Sequence, residues 1–248
     1  MNPPAPETAF YGEPLAGIHD RYYGQVALDA AAKIDGLLQG SDPSSQYIID
    51  LGCGSGILEK ELSEKGFPVL GVDISPGMLH IAREKAPNAH FVQSSLFDFS
   101  IPPCTLVAAI GEAVCYLEEE KDDNDPAIKV LTRNIYEQLA PGGYFIFDVL
   151  STLAEEPATR MIEKPGLTMF IEISIDRVRQ VLSRKMTFFV KQGEAWLKQQ
   201  ETHRQQLFDK DWLETLLQQS GFRVQVVDRY HEEPFRRGHL GFICRKEG

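Results

Sequence analysis

Residues Ile48 to Leu58 read IIDLGCGSGIL. Two β-branched residues run into an acid, glycine then stands at positions 52, 54 and 56, and an apolar pair follows. The stretch QYIIDLG reads as a buried strand, and GILEKELSEKG has the apolar spacing of a helix stopped by Gly66. The quoted residues are therefore a strand-to-helix turn, the place where open parallel sheets anchor their ligands. A dinucleotide fingerprint needs Gly-x-Gly-x-x-Gly. Counted from Gly52 its third glycine would fall at Ile57, and counted from Gly54 at Glu59. A P-loop is excluded as well, because no Gly-Lys-Ser/Thr closes the turn.

Outward from this turn, short apolar runs alternate with amphipathic stretches from about residue 46 to 150. FPVLGVD is a second strand. SPGMLHIAREKA is a helix with Ser75 as N-cap and Pro76 at its first position. HFVQ and TLVAAIG give a third and fourth strand, DPAIKVLTRNIYEQLA a helix, and PGGYFIFDVL turns at Gly142 and Gly143 into a fifth strand. Such alternation predicts an α/β fold, a doubly wound and mostly parallel sheet covered on both faces.

The rhythm changes after Leu150. Residues 167 to 207 read as three antiparallel strands, with Leu167, Met169, Ile171, Ile173 and Ile175 on one apolar face. On the third of these strands Leu197 and Leu207 bracket Gln199, Glu201, His203 and Gln205. Helix returns in DKDWLETLLQQSG, and FRVQVVDRYHEE and HLGFICRK close the chain as two strands. The expected organisation is an N-terminal helical lid (1–45), a core (46–150 and 208–248) and an antiparallel β insertion (151–207) that caps the site or forms a dimer contact.

Composition narrows the function. With 36 acidic against 25 basic side chains the 248-residue chain carries a formal net charge of −11, which repels phosphate backbones, so nucleic acid is not the expected partner. The four cysteines, Cys53, Cys104, Cys115 and Cys244, lie far apart with no CxxC pair, so no metal is expected. No apolar run reaches membrane-spanning length and the start, MNPPAPETAFYGEP, lacks a basic and an apolar signal region. A cytoplasmic protein, monomer or homodimer, is the expectation.

The pattern Asp50-x-Gly52-x-Gly54-x-Gly56 resembles motif I of the class I S-adenosylmethionine-dependent methyltransferases. Physical chemistry points the same way. Glycines admit close backbone approach, and an acid at the strand end suits a ligand bearing an ammonium group, where a pyrophosphate would be repelled. Asp73 ends the second strand about twenty residues beyond the first glycine, the spacing of a carboxylate that accepts ribose hydroxyls. The resemblance implies that Ile74 and Met78 flank the adenine, and that Ser95 and Leu96 stand where the family often has an acid and an apolar residue. It also implies a seven-stranded, Rossmann-like sheet and S-adenosyl-L-methionine as cofactor, held by Asp50, Gly52, Cys53, Gly54, Gly56, Asp73 and the residues just named.

In the family the residues after the fourth strand ordinarily face the transferred methyl; the resemblance implies that Gly111 and Glu112 contact the cofactor here, with Glu112 alternatively steering a cationic acceptor or standing as a solvated loop acid. The Asn/Asp-Pro-Pro-Tyr/Phe motif of base-methylating relatives is absent. His203, with Glu201 on the same strand face, offers a base with an orienting carboxylate. In the N-terminal segment Tyr11, His19 and Tyr23 stand where similar enzymes fold a lid over the cofactor, and aromatic faces attract a sulfonium. His231 reads as a loop histidine. The expected activity is methyl transfer to a nitrogen or oxygen of a small-molecule acceptor. A methyltransferase-like binding module without turnover, and a nicotinamide-dependent oxidoreductase, are the competing readings.

Overall fold

The computed structural model describes residues 24–118, 123–154 and 157–247. Helix α1 (Gln25–Leu37) precedes β1 (Ile48–Leu51), α2 (Ile57–Ser63), β2 (Val69–Asp73), α3 (Pro76–Lys85), β3 (His90–Gln93) and β4 (Cys104–Ala109). Helix α4 (Asp125–Gln138) leads into β5 (Leu139–Leu150). Four strands then run in succession, β6 (Ala158–Lys164), β7 (Leu167–Asp176), β8 (Val181–Gln192) and β9 (Ala195–Gln206). Helix α5 (Lys210–Gln219), β10 (Phe222–Val227) and β11 (His239–Lys246) follow. No described helix is long and apolar enough to cross a membrane.

Two sheets result. The larger has seven strands in the order β10-β11-β5-β4-β1-β2-β3. Its five strands from β5 to β3 are mutually parallel, and β11 is antiparallel to both β5 and β10. The order reverses at β1, so a crevice opens beyond the carboxyl ends of β1 and β4. The expected doubly wound architecture is the one observed.

Alternation along the central strands builds a core on each face. Ile48, Leu106, Ala108 and Ile146 pack with Ala30 and Ile34 of α1 and Leu58 and Leu62 of α2. Ile49, Val107, Ala109, Phe145 and Phe147 point the other way, toward Ile128 and Ile135 of α4 and Leu213 and Leu217 of α5. Stacked rings of Phe145, Phe147 and Phe242 continue this second core across β5 and β11.

The smaller sheet is a meander, β6-β7-β8-β9, antiparallel throughout. Its apolar face carries the predicted Leu167, Met169, Ile171 and Ile173, all buried. Three strands were expected and four are present. The extra strand β6 lies at the sheet edge and exposes most of its residues, so it lacks the apolar alternation by which a strand is recognised. Nor does the strand from Phe222 run on through DRYHEE. It ends at Val227, and the Phe235 amide hydrogen-bonds the Asp228 carbonyl to close a loop that turns Tyr230 inward. The fifth strand begins at Leu139, ahead of Gly142 and Gly143, and its pairing with β4 shifts register between Cys104 and Leu106.

Candidate active site

Strand β1 ends in the glycine turn, and two backbone N–H groups of that turn, Gly52 and Cys53, donate to the Val72 carbonyl at 2.7 and 3.0 Å. Gly52 has φ +85°, and a Cβ there would lie 2.6 Å from Cβ of Ala113, so the turn is pressed against the segment after β4. Gly56 caps α2, where a Cβ would meet Ala82 of α3 at 2.9 Å. Gly54 has open space where its Cβ would be. The three glycines thus divide the work: the outer two allow close packing, and the middle one leaves room for a ligand.

Asp73 binds this turn to the next element. Its Oδ2 accepts from the Gly54 amide and its Oδ1 from the Ser75 amide, each at 2.8 Å. Burial raises the Asp73 carboxyl, and these backbone donors work against that rise. Ser75 in turn accepts from the Met78 amide at 3.2 Å, the N-cap that the sequence predicts for α3.

A cavity of about 710 Å³ extends from this turn, over the carboxyl ends of β1 and β4, to the apolar face of the smaller sheet. It brings together Asp50, Gly52, Cys53, Gly54, Asp73, Ile74, Met78, Ser95, Leu96, Gly111, Glu112 and His203 from the sequence reading. Ile74 is exposed at the rim while Met78 is fully buried beneath. The Ser95 hydroxyl accepts from the Phe97 amide at 3.3 Å and keeps its own hydrogen to donate. Gly56 and Glu201 do not line the cavity. Tyr11, His19 and Tyr23 lie outside the described residues, as does most of the predicted lid. His231 is exposed and away from the cavity.

At the far wall His203, 2% exposed, has Nε2 3.1 Å from Oε2 of Glu201, and its ring meets Tyr116 edge-on. Beside it, on the adjacent strand, stands Arg184. Glu112 is 6% exposed and has φ +64°, a backbone conformation rare for a residue with a side chain. Gln205 donates to its Oε2 at 2.9 Å, Arg236 binds Oε1, and Arg184 lies 3.8 Å from Oε2. Two arginines surround this one carboxylate. Its observed partners make Glu112 a tie between the glycine-turn side of the cavity and the smaller sheet.

The strained turn at Glu112 is held by a residue that the sequence reading passed over. Asp148, fully buried near the end of β5, accepts from the amides of Gly111 and Glu112 at 2.9 and 2.6 Å. Tyr230 donates to it at 3.2 Å, and His239 Nε2 lies 2.7 Å from its Oδ1. Burial alone would lower the His239 imidazole, but the hydrogen bond and charge of Asp148, aided by Glu112, outweigh it and leave it raised. An acid inside the apolar run YFIFDVL was the available signal for Asp148. Nothing local marks Arg184 or Arg236, because each reaches the site only through long-range pairing.

The residues around the turn fit S-adenosylmethionine on two observations. Gly54 leaves the open cradle, and Asp50, 2% exposed and lining the cavity, has an Oδ1 to which no described group donates. An ammonium supplies the missing donor, whereas a pyrophosphate would meet the acids Asp50 and Asp73. Fold and site together define a class I, Rossmann-like methyltransferase.

Comparison with known proteins places the chain further. It belongs to the methyltransferase-domain family, whose model matches residues 22–227. It is 27% identical over 225 residues to YqeM of Bacillus subtilis, whose name gives a methyltransferase without an acceptor. That match covers 86% of this chain and 87% of the relative. Among solved structures, an S-adenosylmethionine-dependent methyltransferase from Clostridium acetobutylicum superposes with a TM-score of 0.80. It is 20% identical and covers 95% of this chain and 98% of its own. CalS10 of Micromonospora echinaspora, an amino pentose methyltransferase with S-adenosylmethionine bound, has a TM-score of 0.70. It is 16% identical, covering 98% and 100%. The protein is an S-adenosylmethionine-dependent methyltransferase.

Proposed function

We propose that the protein transfers a methyl group to a nitrogen or oxygen of a small-molecule acceptor bound between the glycine turn and the smaller sheet. The observation that carries this reading is the continuity of the cavity. One end is the acid-and-glycine cradle, and the other is an apolar floor of Met169, Ile171, Ile173 and Met186 with His203 and Arg184 beside it. That CalS10 is named for an amino pentose is in keeping with an acceptor of this size.

The cofactor supplies an electrophilic methyl on a sulfonium, and the protein's residues do the rest. Asp50 faces the ammonium, Asp73 the ribose hydroxyls, Ile74 and Met78 the adenine, with Ser95 and Leu96 at its edge. Holding an acceptor lone pair in line with the methyl carbon and keeping water out provide most of the acceleration such a displacement needs. His203, turned by Glu201, is placed to take a proton from an acceptor hydroxyl or ammonium. Tyr11 and Tyr23 are proposed to close over the cofactor, and residues 151–207 to act as a cap.

Calorimetry tests the placement of the cofactor. S-adenosylhomocysteine is expected to bind, NADH to give no heat, and Asp73→Ala to weaken the former by about tenfold or more, the loss of a charge-assisted hydrogen bond. Tight NADH binding without a response to S-adenosylhomocysteine would return the oxidoreductase reading.

A further inference from the structure

Glu59, in the first turn of α2, is 0% exposed, and neither of its carboxyl oxygens receives a hydrogen bond from an N–H or neutral hydroxyl group of the described residues. It is wedged under the glycine turn. A Cβ on Gly71 of β2 would lie 2.8 Å from Oε1 of Glu59 and 2.9 Å from Sγ of Cys53. The carboxyl group beside it is that of Asp50, which pairs with Gly71 across β1 and β2 and is itself buried, with Oδ1 lacking a donor among the described residues. Two carboxyl groups bond to one another only with a proton between them. Among the described residues the other titratable groups facing the pair are Asp73, Asp148, Tyr230 and the Cys53 thiol, which supply negative charge and no cation.

We propose that Glu59 is a neutral carboxylic acid in the folded protein and donates its proton to Asp50, fixing Asp50 as the ionised acceptor for the cofactor's α-ammonium group. Glu59 is thus a positioning residue: it lies outside the cavity wall and acts through Asp50, which lines it. Burial raises both carboxyls, but only Asp50 reaches the cavity, where a ligand's cation can offset its charge; Glu59 lies behind it with no donor to either oxygen among the described residues, so the proton resides on Glu59. Ionising both would leave two adjacent buried charges with too few donors, which proteins avoid by protonation. The inference rests on the cofactor lying over the glycine turn, and its test separates the two claims.

The probes are S-adenosylhomocysteine, which carries the ammonium, and 5′-methylthioadenosine, which keeps the adenosine and sulfur but has no amino-acid portion. Glu59→Leu is expected to weaken the first by about tenfold or more while leaving the second within about twofold. In Glu59→Gln the amide N–H replaces the acid as donor, so both ligands are expected to bind within about threefold of wild type. Infrared spectra of the unliganded protein at slightly alkaline pH should show a protonated carboxyl band that Glu59→Gln removes. An unchanged ratio of the two affinities in Glu59→Leu, a tenfold loss in Glu59→Gln, or absence of the protonated band overturns the proposal. If Glu59→Leu does not fold, Glu59→Gln and the infrared band decide it. Failure of both nucleosides to bind wild type instead overturns the placement of the cofactor, and this proposal with it.

Discussion

Asp73 and Asp148 perform matching tasks at two strand ends. Each carboxylate accepts two backbone N–H groups from the loop that follows a neighbouring or its own strand, fixing one half of the cavity wall. Asparagine has only one acceptor oxygen, so Asp148→Asn leaves a buried amide unpartnered. It is expected to lower unfolding free energy by about 2–4 kcal/mol in urea titration. A loss below about 0.5 kcal/mol would mean that the Gly111–Glu112 turn holds itself. Of these two acids only Asp73 was legible from the sequence, because its spacing from Gly52 repeats a pattern that chemistry explains. Asp148 was visible as an oddity, an acid in an apolar strand, but its partners, Tyr230 in the loop before β11 and His239 at that strand's start, lie 82 and 91 residues on. His203 was read correctly as sharing a face with Glu201, since strand periodicity alone puts residues two apart on one side. If His203 serves as the base, His203→Ala lowers turnover and removes the acidic limb of its pH profile. An unchanged profile would take it out of the chemistry.

At the scale of elements, the glycine turn gives a graded prediction. Gly52→Ala places a methyl 2.6 Å from Ala113 at a positive φ and is expected to destabilise the fold by about 2–3 kcal/mol. Gly54→Ala meets no protein atom, so it is expected to cost about 1 kcal/mol of stability yet to weaken S-adenosylhomocysteine binding, because its methyl enters the cradle. Equal effects of the two on melting temperature would contradict this division. The helix α3 was readable to its first residue, since Ser75 and Pro76 are position-specific signals. Strand β6 was not readable, since edge strands are selected to be polar and carry no alternation. What shapes the far half of the cavity is the docking of the smaller sheet on the larger, through contacts such as Glu112 with Arg184 and Gln205. Such pairings between residues over seventy positions apart leave no local pattern.

For the whole molecule, the buried acids at the cofactor turn imprint a pH dependence. Asp50, Glu59 and Asp73 are all raised by burial, so above their unfolded values the folded chain binds more protons than the unfolded one. The stabilisation they give is therefore complete at acid pH and is lost as pH rises through their folded values, about 7 for Asp50. The raised His239 acts with the same sign from its ordinary 6.5 upward. Asp50→Asn is accordingly expected to gain melting temperature relative to wild type at slightly alkaline pH and little at about pH 4, while losing cofactor affinity. A gain that shrinks as pH rises would reverse the sign of the argument. Such a gain would be one instance of stability given up for function at a site.

The net charge of −11 and the cavity over the carboxyl ends of the strands bear on the acceptor. A cavity of this size is in the range that small-molecule sites occupy. The direct measurement is to incubate the protein with methyl-labelled S-adenosylmethionine and a cell extract, then separate the products by size and class. Label in the low-molecular-weight fraction, abolished by Asp73→Ala, is the predicted result. Label confined to nucleic acid or protein, or no label transferred at all while the donor binds, would contradict it.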